Sequence, residues 1–169
     1  LAEQYECIYA AIGFHPCNIE GVSDTEFDEV MSKANHPKVV AIGEIGLAYY
    51  WIKDEKTREL QRKWFIKQID FANKIKKPIS IHNRDAFSDC LTLLKEHKPL
   101  FGGVMHCYSG SVESLKDVLE LGLNVGLGGP LTFTNAKTPK LVCEEIPLER
   151  LVVETDSPYL APHPLRGTV

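Results

Sequence analysis

A chain of 169 residues is long enough to bury a core of its own. Hydrophobic residues make up 44% and charged residues 25%, the mix of a soluble globular protein, and no apolar run approaches the ~20 residues of a membrane span. The net charge of −4 argues against coating nucleic acid through bulk positive charge, but not against a nuclease whose bound cation supplies that charge locally.

The first predicted strand is Tyr5–Gly13, and His15 stands at its C-terminal tip before Pro16. A helix follows over Ser23–Asn35. Ser23 is the N-cap with Glu26 three residues on, a capping box, and Phe27, Val30, Met31 and Ala34 form the apolar face. The run Val39–Ile42 reads as a strand buried on both faces, as in a parallel sheet, with Glu44 where it runs out. Asp54 caps a long helix, Glu55–Lys76, whose Leu60, Trp64, Phe65, Ile69 and Ala72 recur at helical spacing. Pro78 starts the strand Ile79–Ile81, followed at once by His82, Asn83 and Arg84, with Asp85 as N-cap for the helix Ala86–His97. Next come the strand Phe101–Met105 with His106 behind it, the helix Val112–Leu121 and the strand Leu123–Leu127. A weaker helix over Asn135–Glu145, interrupted near Pro139, precedes the strand Leu151–Val153 and the run Glu154-Thr155-Asp156-Ser157-Pro158.

No linker or low-complexity segment breaks this alternation, so residues 1–169 are expected to form one α/β domain with a parallel sheet of about six strands. The cysteines Cys7, Cys17, Cys90, Cys107 and Cys143 are odd in number and lack a CxxC pair, which predicts a reduced, cytoplasmic setting. The chain opens at Leu1 with neither an initiator Met nor a signal peptide, and reads as a piece of a longer protein.

His15, Glu44, His82, His106 and Asp156 each fall at the C-terminal end of a predicted strand. Their separations are 29, 38, 24 and 50 residues. A (β/α)8 barrel of ~250 residues averages roughly 31 residues per unit, so the first three gaps are one unit each and the last is two. Strand C-termini converge on one mouth in such a barrel, and carboxylates and imidazoles meeting there suit a divalent cation. Each residue also has a plainer reading. His82 and His106 are then core histidines bonded to backbone, His15 is a turn residue, Asp156 is a helix cap, and Glu44 caps a helix or pairs with an arginine. Cys107 reads as a small buried filler and not as a ligand.

The runs GFHP (13–16), GEIGLAYY (43–50), PISIHNRDA (78–86), GGVMHCYSG (102–110), GGPLTF (128–133) and ETDSPYLAPHPLRG (154–167) resemble the TatD-like metal-dependent deoxyribonucleases, in that family's order. The resemblance covers nearly the whole chain. It implies a (β/α)8 TIM-type barrel of the metallohydrolase superfamily with a site for up to two divalent metals (Mg, Mn or Zn). It implies a DNA substrate cleaved in the 3′-to-5′ exonuclease manner, with no membrane and no obligate protein partner. Glu44 then resembles the carboxylate that bridges the metals, His82 and His106 the ligands of one metal, and Asp156 the carboxylate for the other metal and the attacking water. His15 and Arg84 match positions that hold substrate phosphate, and Glu154 matches the acid behind the ligands.

Two departures stand out. The family's HxH motif, which supplies two ligands, does not occur in this sequence. The expected barrel is therefore incomplete, with about six βα units and without its N-terminal strands and C-terminal helix, and at most one well-bound metal is expected. Ala48 stands where the family usually has Asp. Other readings are a related metallohydrolase acting on a small amide, lactone or phosphoester, and a degenerate barrel without catalysis.

Overall fold

The computed structural model describes residues 1–167, so the last two residues of the expected domain, 168–169, lie outside the described residues. Strand and helix alternate as β1 (Ala10–Ile12), α1 (Asp24–Ser32), β2 (Val39–Ala48), α2 (Glu55–Lys74), β3 (Ile79–Arg84), α3 (Phe87–Glu96), β4 (Gly103–Met105), α4 (Val112–Glu120), β5 (Leu123–Leu127), α5 (Lys137–Glu145) and β6 (Leu151–Val153). The six strands are all parallel and lie side by side in chain order. A doubly wound sheet reverses its strand order at a switch point, whereas successive units of a barrel do not, so this order is that of a barrel wall. None of the described helices is long and apolar enough to cross a membrane.

The core runs along the sheet. Ile42, Ile45 and Leu47 of β2, Ile81 of β3, and Leu123 and Val125 of β5 are fully buried. On α2, Trp64, Phe65, Ile69 and Ala72 are buried, as their helical spacing predicts, and Phe14, Phe27 and Trp64 pack ring against ring. The capping box forms as expected, with Ser23 accepting from Glu26 N and the Glu26 carboxylate accepting from Ser23 N.

Strand lengths depart from the sequence reading in both directions. β2 does not stop before Glu44 but continues to Ala48. Its second half pairs with β3 in the register Ile45↔Ile81, Gly46↔His82, Leu47↔Asn83 and Ala48↔Arg84, after an irregularity between Ile42 and Ile45. Glu44 therefore sits inside a bulged strand, and His82 and Arg84 are within β3 instead of behind it. Gly46 makes this possible. Its φ is +144°, and a Cβ there would lie 2.0 Å from the His82 carbonyl oxygen. β1 is shorter than predicted because the carbonyls of Tyr5, Glu6 and Ile8 accept from the Lys38 ammonium and not from a neighbouring strand. Asp85 does not cap α3. It adopts φ 56°, and Ala86 occupies the N-cap with no side-chain bond. Pro139 lies in the first turn of α5, where its missing N–H has no intrahelical partner to lose, so the helix is not interrupted.

Candidate metal and substrate site

Glu44 projects from the bulge of β2, and its Oε1 lies 2.8 Å from His82 Nδ1. The His15 and His82 rings meet edge-on with centroids 4.3 Å apart. One donor atom from each of His15, Glu44 and His82 lies within 4.8 Å of the other two, and among the described residues this is the one three-residue group of that kind.

His106 is not part of that group. It follows β4 and turns toward the end of β6, with its Nδ1 2.7 Å from Glu154 Oε2 and its Nε2 3.3 Å from Asp156 Oδ1. The Cys107 backbone N–H donates to the other Glu154 oxygen. Space for this carboxylate comes from Gly126 on β5, where a Cβ would lie 2.3 Å from Glu154 Oε2. Holding one imidazole nitrogen with a carboxylate fixes the ring and leaves the other nitrogen directed at the open side, the usual support behind a metal-binding histidine.

The two clusters share one electrostatic environment. Burial pushes the Glu44 carboxyl up, but its hydrogen bond to His82 and the charges of His82, His106 and His15 outweigh this and leave it below its ordinary value. His15 is pushed down, first by burial and then by His82, which favours the neutral ring that a cation needs. His106 is pushed up to about 9, chiefly by its hydrogen bond to Glu154, with Glu44 and Asp156 adding to the effect. A proton on Nε2 and a cation therefore compete for the same face of the ring. Burial and the charge of Glu154 push the Cys107 thiol to about 11, so it stays protonated and is a poor metal donor. One carboxylate with two or more imidazoles is a donor set that fits a divalent cation such as Zn or Mn.

Arg84 ends β3 with its guanidinium 4.4 Å from the Tyr50 ring, on a cavity that also reaches His15 and His82. Ala48 is buried at the end of β2 on the same cavity.

Sequence reasoning missed two residues that set the backbone around His15. Gln61 and Gln68 of α2 are each 1% exposed. Gln68 accepts from Phe14 N at 2.7 Å and donates to Phe14 O at 3.1 Å. Gln61 donates to Pro16 O at 3.3 Å, and it accepts from Ala48 N at 2.9 Å and donates to Ala48 O at 3.2 Å. The residues on both sides of His15 are thus tied to one rigid helix. The signal was available: two glutamines one heptad apart share the face of Trp64, Phe65, Ile69 and Ala72, and a buried amide needs partners.

Comparison with known proteins agrees with this architecture. The family described as "TatD related DNase" matches residues 1–169. The chain is 45% identical over 168 residues to the uncharacterized metal-dependent hydrolase YabD of Bacillus subtilis, covering 99% of this chain and 65% of YabD. It is 39% identical over 168 residues to the uncharacterized metal-dependent hydrolase YcfH of Escherichia coli, covering 99% of this chain and 62% of YcfH. The chain thus spans somewhat under two thirds of the length of these relatives. Among solved structures, the TatD homologue YjjV of Escherichia coli superposes with a TM-score of 0.89 at 33% identity, over 99% of this chain and 64% of YjjV. A TatD family hydrolase of Entamoeba histolytica superposes with a TM-score of 0.75 at 32% identity, over 90% of this chain and 51% of that protein.

Proposed function

This chain belongs to the TatD-related DNase family, and we propose that it carries part of the catalytic rim of a metal-dependent hydrolase that cuts phosphodiester bonds in DNA from the 3′ end. The observation that carries this reading is the meeting of His15, Glu44 and His82 within 4.8 Å, beside His106 and Asp156. A divalent cation (Mg, Mn or Zn) would be held by Glu44 and His82, with His106 and Asp156 on its flank and His15 closing the group. When bound, it supplies the positive charge that acidifies a water and neutralises phosphate oxygens.

The chain's own residues do the rest. Glu44, kept anionic by its histidine neighbours, fixes the His82 ring through Nδ1. Glu154 fixes the His106 ring in the same way, so that Nε2 faces Asp156. Asp156, whose side chain is 40% exposed, is placed to orient a water from the open side and accept its proton. Arg84 presents a planar, permanently charged fork to a phosphate at the cavity mouth. The free cysteines fit a reducing, cytoplasmic setting.

The test is degradation of a 5′-labelled single-stranded oligonucleotide by the full-length protein, before and after chelation, with a small amide, a lactone and a phosphoester run beside it. We expect activity to vanish on chelation, to return with Mn or Zn, and to fall at least ~100-fold in Glu44→Gln, a lost ligand in a site that does its chemistry through charge. Undiminished cleavage by the chelated protein or by Glu44→Gln overturns the reading. Turnover of a small substrate in place of DNA moves the assignment to that substrate.

A further inference from the structure

A cavity of about 420 Å³ opens beside the His15–Glu44–His82 group. Its lining is polar at His15, His82, Arg84, Glu20 and Gln61 and aromatic at Tyr50 and Trp51. The two aromatic residues are left open. Trp51 is 77% exposed and Tyr50 40%, although both follow directly on the buried end of β2. Large aromatic rings in water beside a charged rim gain nothing from core burial. The ring contact that Trp51 makes is with Tyr50, edge to face at 4.3 Å and 90°. The Arg84 guanidinium lies 4.4 Å from the Tyr50 ring. Indole, phenol and guanidinium thus form a corner of flat groups on the cavity that His15 and His82 also line.

We propose that Tyr50 and Trp51 are a stacking platform for one base of single-stranded DNA whose adjoining phosphate meets Arg84. The proposal rests on the nuclease reading above and names how that site would take its substrate. A nucleotide combines an apolar face with an anion one sugar away, and this cavity sets aromatic rings beside the Arg84 guanidinium. An apolar peptide segment would leave Arg84 without a counter-charge. A base inside a duplex has both faces covered by its neighbours, so the platform selects unpaired ends, and stacking makes it tolerant of sequence.

Trp51 is exposed and Trp64 is buried at 7%, so quenching by an added ligand that disappears in Trp51→Leu reports on Trp51. The experiment titrates the full-length protein in chelator, where strands are not cut, with oligothymidylate and with an abasic strand of equal length. Tryptophan emission and the anisotropy of fluorescein-labelled strands are the readouts. Oligothymidylate should quench the emission, and the abasic strand should bind at least about 5-fold more weakly. Trp51→Leu should weaken oligothymidylate binding about 10-fold and shift the abasic affinity less than about 2-fold, and Trp51→Phe should restore most of the loss. Equal oligothymidylate binding by Trp51→Leu and wild type, absence of quenching, or an equal loss on both strands overturns the platform. The last result would mark Trp51 as scaffold or the occupant as something other than a base. Binding is read without turnover. A protein that shows the base-dependent binding but never cuts DNA sinks the nuclease reading alone, and one that cuts DNA with no base dependence sinks the platform alone.

Discussion

His82 and Asp156 face the same rim from unlike supports. His82 lies within β3, six residues long and paired on both sides, whereas Asp156 comes three residues after β6, which is three residues long and, among the described residues, paired with β5 alone. Around His82 the sheet is closed by fully buried Ile45, Leu47 and Ile81, and around β6 Val152 and Val153 are 38% and 85% exposed. Both flanks carry a carboxylate–imidazole bond, Glu44 to His82 and Glu154 to His106, but the first is backed by a packed sheet and the second is not. Packing fixes a backbone whatever the solution conditions, while a charge-assisted bond holds only in one protonation state. The geometry on the β6 side should therefore respond more strongly to pH and to point changes than the β3 side.

The largest effect should come from the packed flank. Ile81→Ala removes a fully buried side chain at the centre of the sheet and should cost about 2–5 kcal/mol in urea unfolding. Gln68→Leu should come next, at about 1–3 kcal/mol, because it strands the half-buried N–H and C=O of Phe14. Its sharper signature is functional: with the Phe14 side of His15 no longer tied to α2, metal affinity should fall more than in an equally destabilised variant of β5, measured by metal titration.

A smaller effect should appear on the other flank as a pH dependence of the metal-free protein. The folded His106 pKa of about 9 lies above its ordinary 6.5. Its contribution to stability is thus complete below about pH 6.5 and is lost as the pH rises through about 9. Urea midpoints taken across that window should fall with rising pH in wild type and flatten in Glu154→Gln. An unchanged slope in the variant would remove Glu154 as the cause.

Much of this frame was readable in the chain. The α1 capping box, the α2 apolar face and the strands Leu123–Leu127 and Leu151–Val153 each depend on neighbours a few residues away, and they form where the pattern places them. Element ends were less readable. β2 runs on past Glu44 because Ile45 and Leu47 find partners on β3, some 36 residues later in the chain, and no local pattern contains that pairing. The same holds at the site. The recurrence of His, Glu and Asp near strand ends pointed to convergence, but not to which donors would face each other. His15 joins Glu44 and His82, and His106 turns to Glu154 and Asp156, because the bulge between Ile42 and Ile45 and the space at Gly126 set the directions of those side chains.

What the sequence determined by itself was the alternation of strands and helices, the apolar faces that bury them, and a set of acids and imidazoles spaced one or two units apart. These follow from covalent neighbours and a fixed helical or pleated period. The tertiary structure alone decided how long each strand runs, that two glutamines of α2 hold the backbone beside His15, and that Tyr50 and Trp51 stand in the open next to Arg84. Those outcomes depend on contacts between residues far apart in the chain, where a single missing Cβ or a single buried amide decides the geometry.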